Sequence, residues 1–124
     1  WIDGMTYSTM SEEFNAEPGD IFQIRQNTER LVYIIREIAR FWKNQVLVDE
    51  LDILRQRIRH GVPEKYLDLV KIKNVGRVRA KMLYKYNFRD RIDLRKATLE
   101  KLAAIDKIGM TVAKSIKLQI EKVE

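Results

Sequence analysis

One apolar-and-glycine pattern occurs twice in this 124-residue chain, at a constant offset of 33 residues. Leu69, Ile72, Val75, Gly76, Ala80 and Leu83 are matched in residue class by Leu102, Ile105, Ile108, Gly109, Ala113 and Ile116. A repeated unit is usually the architecture itself, and this spacing predicts helix, tight hairpin, helix in each copy. Leu69 and Ile72 fall three apart, on one face of a short first helix. Val75 plugs the turn, and Gly76 permits a positive φ or a close backbone approach. Ala80 and Leu83 face back from the second helix, the small alanine letting the two helices lie close.

A helix that starts at such a turn carries unpaired N–H groups and the positive end of its dipole. Together they form an anion site built from backbone alone. On this reading the amides near Gly76 and Val78 hold one phosphate, and those near Gly109 and Thr111 a weaker second. Two residues before each glycine, where such hairpins usually carry another glycine, stand Asn74 and Lys107. Asparagine tolerates left-handed geometry, and lysine is a poorer substitute, so the first hairpin is expected to bind more strongly. Arg77, Arg79 and Lys81 add side-chain charge beside it, and Lys114 beside the second. Spacing alone leaves open a pair of hairpins that only pack on each other as a protein-interaction module.

Charge is distributed to match. Residues 63–124 hold 16 Lys and Arg against 8 Asp and Glu, whereas residues 1–62 hold 8 against 10. The entire basic excess therefore lies in the half with the hairpins, and it is densest between Lys71 and Lys96. Such asymmetry argues for a polyanionic partner, although not for any fold.

Composition excludes several other chemistries. Without cysteine there is no disulfide framework or thiolate metal site. The single histidine, His60, precedes Gly61 at an expected helix end, where a cation suits the dipole. No apolar run is long enough to span a membrane. No paired carboxylates, nucleophile–base set or Gly-x-x-x-x-Gly-Lys-Ser/Thr loop stands out, so these residues predict no catalytic site, metal or cofactor. The chain opens on Trp1 and reads as a fragment of something longer, soluble and intracellular.

The remainder reads as helix throughout, which makes the expected class all-α. A short helix is expected over Ser8 to Phe14, a long one from Asp20 to about Lys43, and a third from Val46 to His60. In the long helix Ile24, Leu31, Ile35, Ile38 and Trp42, widened by Ile34 and Phe41, define an expected core face. Trp42 at that spacing is read as core in preference to a base-stacking ring. The opposite face carries Gln23, Arg30 and Glu37 at seven-residue intervals, a wet face on spacing alone. Val62-Pro63 marks the boundary between domains 1–62 and 63–124.

From Pro63 to Val123 the pattern resembles the tandem helix-hairpin-helix domain of DNA repair and unwinding proteins. A wider resemblance rests on Glu17-Pro18-Gly19-Asp20-Ile21, Thr28-Glu29, Arg59-His60-Gly61-Val62, Leu69-Val70-Lys71-Ile72 and Gly76-Arg77-Val78-Arg79-Ala80-Lys81. In that order they resemble the C-terminal part of archaeal Ski2-like superfamily-two DNA helicases. The resemblance implies part of a helical ratchet domain followed by a tandem helix-hairpin-helix domain, together holding single-stranded or forked DNA. It places Gln23 and Arg30 where the ratchet helix contacts the strand. It also implies upstream helicase domains on the same chain using ATP and Mg, and a cytoplasmic setting with the nucleoid of an archaeal cell. Two alternatives remain open. One is a module for protein interaction or self-association; the other is an accessory domain of a structure-specific nuclease.

Overall fold

The computed structural model describes residues 1–122 as α-helices, one 3₁₀ turn and connecting loops, with no strand among the described residues. The chain divides into two compact units, the first Trp1–Glu64 and the second beginning at Lys65.

The first unit contains α1 (Tyr7–Phe14), α2 (Pro18–Phe41) and α3 (Gln45–His60). Each boundary has a local cause. The Thr6 hydroxyl accepts from the Thr9 amide and starts α1, and Asn44 does the same for α3 by accepting from the Leu47 amide. Pro18 opens α2, where its missing N–H costs nothing. Gly61, at φ +64°, ends α3 directly after His60, and the positive charge of Arg57 and Arg59 in the last turn suits the helix C-terminus. An alanine Cβ at Gly61 would also run into the Trp1 indole. That indole donates to the Ile58 carbonyl at 2.7 Å and stacks on Tyr7.

The α2 and α3 helices form an antiparallel hairpin. Arg36 donates to Asp52 at 2.6 Å, and seven residues back on α2, Glu29 accepts from Arg59, seven residues on along α3, at 2.9 Å. The bond to Asp52 also holds the Arg36 guanidinium above its ordinary pKa.

The expected core face of α2 is wrong by one residue. The packed seam runs through Ile21, Val32 and Ala39, with Arg25 and Arg36 half-buried beside them. Ile24, Leu31, Ile35, Ile38 and Trp42 are exposed, as are Ile34 and Phe41. One residue is about 100° around a helix, so the seam lies on a different face. The cause is the α3 partner: Arg36 meets Asp52 and Arg55 lies over the Tyr33 ring at 4.8 Å, which fixes the rotation of α2. Trp42 is 75% exposed and lies outside the packed seam of this unit. It caps the end of α2, where the chain leaves the helix.

The second unit contains α4 (Leu67–Val70), α5 (Arg77–Lys85), α6 (Arg91–Lys96), α7 (Leu99–Ala103) and α8 (Gly109–Glu121). The apolar members of both repeats are buried, from Leu69 and Ile72 through Ala113 and Ile116. Ile72 and Ile105 lie beyond α4 and α7, not on a helical face as spacing suggested. They are buried within the turns, where the Ile72 amide bonds to Leu69 O at 3.1 Å and the Ile105 amide to Leu102 O at 3.2 Å. Asp90 caps α6 by accepting from the Asp93 amide, while Asp93 accepts from the Arg89 amide. That Asp-x-x-Asp spacing is the sequence signal for a helix the repeat pattern passed over. Buried Leu94 anchors α6.

Candidate nucleic-acid interface

The two hairpin turns share their backbone plan. Val75 N–H donates to Ile72 O at 3.0 Å, and Ile108 N–H donates to Ile105 O at 3.1 Å. Between these bonds Asn74 has φ +69° and Lys107 φ +66°, the left-handed geometry expected of that position. A residue with a side chain is strained there by about 1–2 kcal/mol, asparagine least.

Beyond the turn the hairpins part. Gly76 has φ −82° and ψ −176°, ordinary extended backbone, so the positive φ considered for it does not occur. Among the described residues beyond its chain neighbours, a Cβ built there would meet nothing within 4 Å. The glycine leaves an open approach to the start of α5. Gly109 does take φ +66° and needs its glycine for conformation, with open space in front of it as well. Neither α5 nor α8 has a side-chain N-cap, in contrast to α1, α3, α6 and α7. At both hairpins, among the described residues, no N-cap side chain covers the first turn of helix.

Charged and polar side chains surround these starts. Val78 is 56% exposed, Lys81, Thr111 and Lys114 are exposed, and Arg77 is half-buried. Thr111 and Lys114 join Lys73, Asn74, Ser115 and Gln119 around a shallow hollow of about 430 Å³ between the first turn and α8. The Gln119 side chain accepts from the Lys73 amide at 2.8 Å and donates to the Lys73 carbonyl at 3.0 Å. Asn74 Nδ2 lies 3.2 Å from Ser115 Oγ. Lys73 belongs to the basic stretch between Lys71 and Lys96, whereas Ser115 and Gln119 have as their only sequence signal a four-residue spacing on one face of α8.

Arg79 is placed differently from its neighbours. Its Nε donates to Lys107 O at 2.8 Å and its Nη1 to Asn74 O at 2.9 Å. The guanidinium therefore lies between the two turns and commits donors to each.

In the first unit Gln23 and Arg30 are both exposed on α2. Gln23 donates to Asn27 at 3.3 Å. Arg30 borders a shallow groove with Gln26, Glu29, Tyr33 and Arg55. Among the described residues no cluster of three or more His, Cys, Asp or Glu could hold a metal, and no helix is long and apolar enough to cross a membrane.

Comparison with known proteins divides the chain in a similar way. Residues 1–61 match the family model of archaeal helicase domain 4, and residues 69–122 match the model of the helix-hairpin-helix motif. The ATP-dependent DNA helicase Hel308 of Pyrococcus abyssi is 37% identical over 117 residues, and that of Pyrococcus horikoshii 35%. Each match covers 94% of this chain and 16% of the relative. The helicase of the same name from Methanocella arvoryzae is 32% identical over 120 residues, covering 97% of this chain and 16% of the relative. The chain spans about a sixth of the length of these curated relatives.

Proposed function

The chain belongs to the archaeal helicases, as the domain-4 and helix-hairpin-helix region of one, and from that premise we propose that it binds DNA through the paired hairpins. Binding is to single-stranded or forked DNA without choice of sequence, because backbone amides and helix dipoles recognise phosphate and not base edges. The observation that carries this reading is the open, uncapped start of α5 behind Gly76. Its amides take one phosphate, and those at Gly109 and Thr111 take another. Asn74 shapes the first turn, while Arg77, Lys81 and Lys114 supply charge. On α2, Arg30 lays its guanidinium against an unpaired base, with Gln23 two turns earlier on the same helix.

These residues include no phosphate-binding Gly-x-x-x-x-Gly-Lys-Ser/Thr loop. ATP hydrolysis with Mg therefore falls to other domains of a longer parent, and other parts of that parent cover the exposed apolar stripe of α2. The setting is the interior of an archaeal cell, with its DNA.

Fluorescence anisotropy with a labelled single strand and a fork tests the reading. Engagement of four phosphates on a single strand gives a slope of about −3 in log K against log salt. Replacing both Arg77→Glu and Lys81→Glu weakens binding to every sequence alike. A slope near zero, or unchanged affinity in that double variant, would remove the proposal.

A further inference from the structure

We propose that Arg79 is a positioning residue that clasps the two hairpin turns at a fixed spacing, so that one length of DNA backbone engages both. This rests on the DNA-binding reading above and assigns Arg79 a role apart from that of Arg77 and Lys81. Its two acceptors are the Asn74 and Lys107 carbonyls. These residues occupy the same position in the two repeats and share a left-handed backbone. One side chain thus joins the counterpart points of both turns.

Only arginine suits that task. Its planar guanidinium presents donors in several fixed directions, whereas an ammonium offers all of its donors from a single point. The counterpart of Arg79 in the second hairpin is Val112, so the clasp is made once, from the first hairpin to the second. The first turn is also tied to α8, through Gln119 and Ser115. With Arg79 in place the first turn is held against both the second turn and the helix that follows it. Two weak phosphate sites at fixed spacing act as one bivalent site, and affinity rises without any new contact.

The test begins without DNA. In arginine side-chain NMR of this chain, the Arg79 Nε–H is expected to be protected from solvent exchange. Arg79→Lys is expected to shift the amides of residues 107–109. Rapid exchange together with unmoved amides would overturn the clasp, whatever the chain binds.

Affinity is then compared for two single strands, one long enough to meet both turns and one reaching a single turn. Arg79→Lys and Arg79→Met are each expected to weaken the long strand by about tenfold and to leave the short one unchanged. Full affinity in Arg79→Lys with loss in Arg79→Met would mean that charge alone matters. Equal loss on both strands would mean general destabilisation or direct contact. Either result overturns the proposal. Should a variant fail to fold, the wild-type Nε–H resonance decides: unmoved by added DNA it supports the clasp, and a large downfield shift marks a phosphate ligand and overturns it. Failure of the wild-type chain to bind either strand would refute the DNA reading, while the DNA-free measurement still judges the clasp.

Discussion

The two hairpins of the second unit are alike where they are buried and unlike where they face solvent. Leu69, Ala80 and Leu83 are 0% exposed, and so are Leu102, Ala113 and Ile116. The turn hydrogen bonds recur within about 0.1 Å. Outside the core the correspondence lapses: Arg77 answers to Met110, Arg79 to Val112, and an extended Gly76 to a left-handed Gly109. Close packing tolerates little change in volume, so the buried positions keep their class. Positions outside the core are free to diverge, and here they concentrate charge on the first hairpin.

The largest effects should appear where the hairpins agree. Leu69→Ala and Leu102→Ala are each expected to cost about 2–5 kcal/mol in denaturant unfolding, because both create cavities in a closed core. A loss several-fold smaller in one would break the equivalence. Next come the glycines, where the hairpins differ. Gly109→Ala should cost about 1–2 kcal/mol for placing a side chain at positive φ. Gly76→Ala should leave stability intact and weaken DNA binding, since its methyl group stands in the open approach. Equal stability losses at the two sites would contradict the assigned backbone geometry. The smallest effect is a gain. Lys107→Gly relieves left-handed strain but frees the unfolded chain, for a net rise of about 0.5–1 kcal/mol. Asn74→Gly should show no such gain, because asparagine tolerates the conformation and its side chain meets Ser115. Thermal melts of the pair would check this, and a larger gain at position 74 would reverse the ranking.

The hairpins were legible because everything that makes them is local. Turn and packing residues sit within about fifteen positions of one another in each repeat, and the repetition separates signal from chance. The left-handed positions at Asn74 and Lys107 could be read in the same way, from their distance to each glycine. The α2 seam was not legible. That helix carries apolar residues on adjoining faces, Leu31 beside Val32 and Ile38 beside Ala39, so periodicity offered two candidate stripes. The more apolar of the two is exposed, and the packed one includes Arg25 and Arg36. Polar residues hide a seam when their partners lie on another helix, as Asp52 does for Arg36.

By itself, the sequence determined an all-helical chain, two hairpins in register, and a basic half set against a mildly acidic one. Helix period, turn chemistry and charge are properties of neighbouring residues, and they can be read without a fold. Tertiary structure decided which face of α2 is buried, that Trp1 closes over Gly61, and that Arg79 reaches across to Lys107, 28 residues away. Each of these depends on which distant groups the folded backbone brings within hydrogen-bond or van der Waals range, and no local pattern records that.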